Sequence, residues 1–482
     1  MTFNCDRLID CNSAPPDDGT DSRSVAVHRV FALMPRITLC AALAVTMLTA
    51  ASGSALAQSD TDAVVDQGTS LSTVYQRARE YDAEFQAAEF DLEAARQNVP
   101  LARAAFLPRV SIGAELGYTT LADDGLGPFE ETGLALTLSQ SLYNRSDSKS
   151  LDQAQIRVQQ AEAQYAASGQ ALILRVANAY FDVLQAQADL QFSQSELEAI
   201  SRQLEQAERR FDVGLVPITD VRSAQAQFDL ATAQDIAAEN QLATAREALL
   251  LISGVDAELL TPLADDLPLN PPNPANVDTW VSTALERNLE LVIAQLAAES
   301  SAKQIAIARA DRYPTLDLSG TAGSSTTRQI AGRNTDVAEI SLTLALPLYT
   351  GGQINASVAQ AKAQSNAAEQ QLRVQERTTT QQTRDAYRGV IASISRVNAL
   401  EQALLSTRQS AEAIEAGFRA GTRTSVDVLE ALRDTFSARS DFSAARYDYI
   451  INTLNLKAAT GTLSENDLFT INRFLAVPEP GN

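Results

Sequence analysis

Beyond residue 57 the chain has no cysteine and no histidine: Cys5, Cys11 and Cys40 and the single His28 all precede that point. The remainder can therefore hold no disulfide, no zinc site with thiolate or imidazole ligands, no Ser-His-Asp triad and no cysteine nucleophile. Only carboxylate or lysine chemistry stays open to an enzyme. Basic charge is also scarce. Taking the four basic and five acidic residues of 1–57 from the totals of 38 and 60 leaves 34 against 55, which argues against nucleic-acid binding. Tryptophan occurs once, at Trp280, and is expected to pack rather than to form a ligand site.

Proline is missing from two very long stretches, 149–211 and 355–416, and each holds one glycine, Gly169 or Gly389. Both are rich in Ala, Gln, Leu, Glu and Arg. A continuous helix over either would reach roughly 95 Å at ~1.5 Å per residue, far beyond the ~11-residue average, so coiled-coil-like packing is expected. Many apolar positions are small (Ala163, Ala166 and Ala177; Ala356, Ala359 and Ala363), which permits close neighbours on both sides, as a helical tube requires. Each stretch ends in a tight turn, at Phe211–Leu215 or Phe418–Thr422, and returns as a second helix ending near Gly254 or Gly461.

The segment 36–57 reads as a secretory signal: Arg36, an apolar run from Ile37 to Leu48, then small residues ending at Ala55-Leu56-Ala57. Its run is too short for a spanning helix of roughly 20 residues. Cys40 follows Leu39 rather than a small residue, so a lipid-anchored cysteine is not expected. Residues 1–33 are acidic and contain Pro15 and Pro16, unlike a signal n-region, which makes Met34 the expected translation start and Gln58 the expected mature terminus.

What remains is written twice. Ala102-Arg103-Ala104, Pro108 and Leu142-Tyr143 recur 206 residues later as Ala308-Arg309-Ala310, Pro314 and Leu348-Tyr349. At an offset of 207, Tyr180 answers Tyr387, Phe211 and Gly214 answer Phe418 and Gly421, Asp220 answers Asp427, and Gly254 answers Gly461. A repeat of about 200 residues far exceeds a solenoid unit, so each copy is read as half of one larger object around a pseudo-symmetry axis. The expected organisation is a signal with an N-terminal extension over 1–57, a first repeat over 58–254, a Pro-rich linker over 255–277, a second repeat over 278–461 and a tail over 462–482.

Four segments of about ten residues alternate with period two. Val110, Ile112, Ala114, Leu116 and Tyr118 mark the first, and Leu134, Leu136, Leu138 and Leu142 the second. Leu316, Leu318 and Ala322, then Ile340, Leu342, Leu344 and Leu346, mark their repeats. Alternation alone fits either amphipathic hairpins on a soluble core or lipid-facing barrel strands. Phe106, Tyr143, Tyr313 and Tyr349 stand where the strands meet the helices, as an interfacial girdle would. Pro108 and Pro314 open strands, where proline is tolerated. Four strands cannot close a barrel, for which about eight is the practical minimum, and lipid tolerates no open edge. Several chains must share one barrel; three would supply twelve strands.

The stretches 210–221, 416–430 and 454–468 are the most specific part of a likeness that covers nearly the whole chain after residue 57. They resemble the outer membrane factor family, the trimeric exit ducts of Gram-negative bacteria. The resemblance implies an α+β membrane protein, with a twelve-stranded β-barrel continuous with a twelve-helix periplasmic α-barrel, four strands from each chain. It implies no cofactor, and as partners a homotrimer, a periplasmic adaptor, an inner-membrane efflux pump or ABC exporter, and outer-membrane lipid. An acidic ring at the constriction carries over to Asp427 and Glu430, and constriction links to Thr219, Asp220 and Arg423. Phe418 replaces a tyrosine of the family pattern, losing a hydroxyl that would bond Asp220. The turns Val213-Gly214-Leu215 and Ala420-Gly421-Thr422 match adaptor-contact tips, although a glycine turn needs no partner to explain it. Thr424 followed by Asp427 equally fits a helix N-cap with an acid in the first turn.

The function this implies is a passive conduit for small toxic molecules or secreted proteins, with energy supplied by the inner-membrane partner. A structural tether or adhesin, with a helical stalk on a barrel anchor, is the competing reading. A carboxylate-dependent hydrolase would need two acids facing one cleft, and no such pair occurs outside the tip.

Overall fold

The computed structural model describes residues 69–119, 129–256, 260–264, 266–328 and 333–475; the signal segment, the extension before it, parts of both strand-connecting loops and the last residues of the tail lie outside them. In chain order the elements are α1 (Leu71–Tyr81), α2 (Ala83–Arg96), α3 (Asn98–Ala104), β1 (Arg109–Thr119), β2 (Phe129–Tyr143), α4 (Arg145–Asp212) and α5 (Ile218–Ser253). The second series is α6 (Val277–Arg287), α7 (Leu289–Ala310), β3 (Thr315–Arg328), β4 (Arg333–Ala345), α8 (Gln353–Arg419) and α9 (Ser425–Ala459), with α10 (Glu465–Asn472) closing the chain. α4 has 68 residues and α8 has 67, each unbroken and about 100 Å long at 1.5 Å per residue.

The strands form one antiparallel sheet in the order β1-β2-β3-β4, so β1 and β4 are its free edges. Register decides what the faces carry. Ile112 pairs with Leu136, Leu136 with Ala322, Leu318 with Leu342 and Leu316 with Leu344, so the even-numbered apolar residues of all four strands fall on one side. A one-residue slip would mix the faces. The register shifts between Ser141 and Tyr143, which sets Tyr143 opposite Leu316 and keeps an aromatic on that side at the strand's end.

Helix packing follows a parallel order. Beside the sheet, α2 and α3 lie on α4, α4 on α7, and α7 on α8; farther along, α5 lies on α4, α4 on α9, and α9 on α8. Helix α6 also lies on α8, and α1 on α5.

The main core sits around the middle of α4, where Leu172, Val176 and Tyr180 meet Leu249, Val390, Leu454 and Leu468. Tyr180 is fully buried, and its hydroxyl donates to the carbonyl of Thr261 at 2.8 Å and reaches that of Thr69 at 3.3 Å. Burial pushes its pKa up, so it stays a neutral donor. Tyr449 does the same for the second linker segment: its hydroxyl donates to Asn270 O at 3.1 Å and accepts from Asn270 N at 2.9 Å. Trp280 packs against this core and donates to Pro274 O at 2.8 Å, the packing role expected of it. Helix α10 docks on α1 through Leu468 in the core, the Tyr75 hydroxyl on Glu465 and an Asn472–Ser72 hydrogen bond.

Candidate functional site

Both hairpin tips are built alike. At the end of α4 the amide of Leu215 donates to Arg210 O and that of Gly214 to Phe211 O, both at 2.8 Å, with Gly214 at φ +76°. At the end of α8, Thr422 N donates to Gly417 O at 2.8 Å and Gly421 N to Phe418 O at 3.0 Å, with Gly421 at φ +77°. These are helix C-caps that satisfy the last carbonyls and need a left-handed residue. Apart from the adjoining residues, no atom lies within 4 Å of the point where a Cβ would stand on either glycine, so conformation rather than crowding calls for it. Val213, Leu215, Ala420 and Thr422 are exposed beside them.

The return helices differ at one cap. Thr424 is the N-cap of α9: Asp427 N donates to its Oγ1 at 3.2 Å, and Thr424 N donates to Asp427 Oδ2 at 2.8 Å, a reciprocal capping box. Hydrogen bonding of the Asp427 carboxyl to the Thr424 backbone, and to its side chain, with the nearby Arg423 charge adding less, holds that carboxyl below its ordinary range. Glu430 is exposed one turn further along the same face of α9. In the first copy Pro217 occupies the cap and has no N–H to offer, so Asp220, the repeat equivalent of Asp427, forms no box. Its amide donates to Pro217 O at 3.1 Å, and its carboxylate accepts from the Thr219 hydroxyl at 3.4 Å.

The expected constriction residues thus stand on the two tips, where the Asp220 carboxylate accepts from Thr219. The Arg210 guanidinium lies over the Phe418 ring, its carbon 4.9 Å from the centroid. Arg210 opens the specific stretch 210–221 but carries no expected site role; the signal that marks it is that its repeat equivalent is a glycine, Gly417. Above the tips a polar belt sets the hairpins on α4: Ser193 donates to Asp235 at 2.9 Å and Ser440 to Asp189 at 2.5 Å. Glu196, buried in the same belt, has its pKa pushed up by burial, an effect opposed by Arg433.

At the other end the apolar sheet face is bare. Ile112, Leu116, Leu136, Ile340, Leu342 and Leu344 are all exposed in the single chain, Leu116 at 87% and Ile340 at 83%. Tyr143, Tyr313 and Tyr349 are exposed where sheet meets helices, and Phe106 is half-buried. Arg145 stacks on Tyr313 at 4.1 Å. On the opposite side Ser319 and Ser341 hydrogen-bond across β3 and β4 at 2.7 Å. Among the described residues no helix is long and apolar enough to cross a membrane.

Comparison with known proteins agrees with this geometry. The family described as "Outer membrane efflux protein" matches residues 74–255 and 280–462, one match to each copy of the repeat. TolC of Escherichia coli K12 is 37% identical over 432 residues, covering 87% of either chain. TolC of Vibrio cholerae is 38% identical over 414 residues, covering 84% of this chain and 94% of that one. The outer-membrane channel CmeC of Campylobacter jejuni superposes with a TM-score of 0.70 at 16% identity, over 84% of this chain and 90% of its own. The chain belongs to the outer membrane efflux protein family.

Proposed function

We propose that three copies of this chain form one exit duct in the outer membrane of a Gram-negative bacterium, conducting small molecules or secreted proteins passively to the outside. The observation that carries this reading is a four-stranded sheet with two unpaired edges and one continuous, exposed apolar face. In lipid such edges must be paired, and three sheets supply the twelve strands of a barrel wide enough for a lumen.

The duplication also supports a register for closure. Leu136 pairs with Ala322 inside the chain. Moving β2 forward and β3 back by the 206-residue offset sets Leu342 of β4 opposite Leu116 of the partner subunit's β1. In the same ring α8 of one chain would meet α2, α3 and α5 of the next, giving twelve helices at each level of a periplasmic tube. The tips then converge on the axis, with Asp427 and Glu430 forming a ring of six carboxylates. Thr219, Asp220, Phe418 and Arg423 bias that constriction towards closure. The tip turns at Gly214 and Gly421 offer the contact for a periplasmic adaptor, which joins the duct to an inner-membrane pump or ABC exporter. Nothing in this reading is enzymatic; the work is done by the transporter, and the duct supplies the path.

Planar-bilayer recording from the purified protein beginning at Gln58 tests this. The expected result is a small, cation-selective conductance, since a cleft lined by one sign of charge concentrates counter-ions. A folded trimer that never conducts would favour the tether.

A further inference from the structure

We infer that Arg210 and Phe418 form the latch that ties the two helical tips of one chain together at the constriction; this rests on the exit-duct reading. The two side chains stand in the last turns of α4 and α8, with the guanidinium carbon 4.9 Å from the ring centroid and both residues half-buried. Among the described residues, the hydrogen bonds at the tips each stay within one tip: Thr219 with Asp220 in the first, Thr422 with Gly417 and Thr424 with Asp427 in the second. The stacked pair crosses between the last turns themselves, and behind it Leu429 of α9 packs on Ile200 and Ala231 of the first hairpin.

The repeat shows how this position was divided between the copies. Residue 210 carries a cation, whereas its equivalent is Gly417, and a Cβ there would stand 2.8 Å from Arg423 Cγ and 3.2 Å from Thr422 Oγ1. Gly417 therefore leaves space for Arg423 to fold back along the end of α8, while Arg210 reaches across from α4. The Phe418 ring needs no hydroxyl for this contact, because the attraction is between the guanidinium and the ring face. A contact of this kind does not require Asp220, which is left to Thr219. It also depends less on salt than a link between exposed opposite charges, which is screened within about 10 Å at 0.1 M ionic strength.

Two measurements on the full-length trimer test the latch. In bilayers, Arg210→Gln and Phe418→Leu should each raise the resting conductance several-fold, and the double variant should be no more open than either single one, because both remove the same contact. Phe418→Tyr keeps the ring face and should keep the small conductance. Independently of conduction, spin labels at Val213→Cys and Ala420→Cys, on doubly labelled chains diluted into an excess of unlabelled chains, should give one narrow intra-chain distance in the parent, broadened by Arg210→Gln or Phe418→Leu and kept narrow in Phe418→Tyr. Broadening with no current in any variant would leave the latch standing and overturn the exit-duct reading. Labels that stay narrow in both variants, or conductance gains that simply add in the double variant, would overturn the latch.

Discussion

Converting Asp427 to Asn together with Glu430 to Gln is expected to abolish most of the block of the pore by multivalent cations and to weaken its cation selectivity. Three chains would bring six carboxylates to one constriction. Clefts lined by one sign of charge raise local counter-ion concentration by roughly 10–10³-fold, so a loss of block of about tenfold or more is the expected scale. The choice of amides matters, because Asp427 has a second role. Its carboxylate accepts from Thr424 N at 2.8 Å as half of a capping box. Asparagine retains an oxygen for that bond, whereas alanine would lose the cap together with the charge. If the amide variant blocks as the parent does, the two acids serve the helix and not the pore; if only the alanine variant changes, the cap is what matters. Titration of block in the parent and in a Glu430→Gln variant separates the contribution of the two acids.

Gly461→Ala is expected to prevent accumulation of folded protein, while Gly254→Ala, its equivalent in the first copy, is expected to be tolerated with moderate loss. Both glycines have left-handed backbone, φ +68° and +64°. A Cβ in that conformation costs about 1–2 kcal/mol. The surroundings then separate them. At Gly461 the added carbon would stand 2.1 Å from Arg287 O and 2.6 Å from Arg287 C, both backbone atoms of the α6–α7 junction. That junction cannot retreat cheaply. Asn288 is buried, caps α7 through Leu291 N at 2.9 Å, and donates to Ala459 O at 2.9 Å, which ties it to the end of α9. Overpacking of this kind typically adds about 1–3 kcal/mol or more, for a total of several kcal/mol. At Gly254 the nearest atoms belong to the Tyr81 ring, at 2.9 Å, and that side chain is exposed and free to turn aside. Denaturant midpoints and the amount of trimer in outer membranes check the ranking; equal losses at the two sites would contradict it.

Much of this architecture is legible in the residues because it depends on local periodicity. Period-two alternation marks the strands, and the absence of proline across 149–211 and 355–416 marks α4 and α8, which extend a few residues further at each N-terminus. Glycines 214 and 421 mark the tips through their φ angles. Other features depend on tertiary neighbours. Residues 462–482 read as tail, yet Ser464 and Asp467 form a capping box that starts α10, and its docking on α1 together with the Lys457–Asp467 ion pair to α9 holds so short a helix in place. The Tyr180 hydroxyl finds the carbonyls of Thr69 and Thr261, 111 and 81 residues away. No spacing rule predicts such pairs. The same holds for Arg210 on Phe418, which joins opposite repeats. At Asp427 the residue type fits both a cap and a ring: the cap is visible in one chain, and a ring needs three.

The claim that three chains close one barrel is tested most directly by cross-linking its seam. No cysteine occurs after Cys40, so a chain carrying Leu116→Cys and Leu342→Cys has two thiols beyond the signal segment. Directly opposed residues in antiparallel strands have Cβ atoms about 4.5–5.5 Å apart, close to disulfide geometry. Oxidation in outer membranes, followed by non-reducing electrophoresis, is predicted to give a covalent species of three chains and nothing larger, with neither single variant forming it. A ladder that continues past three, or no linkage between β4 and β1 in folded protein, would contradict the account.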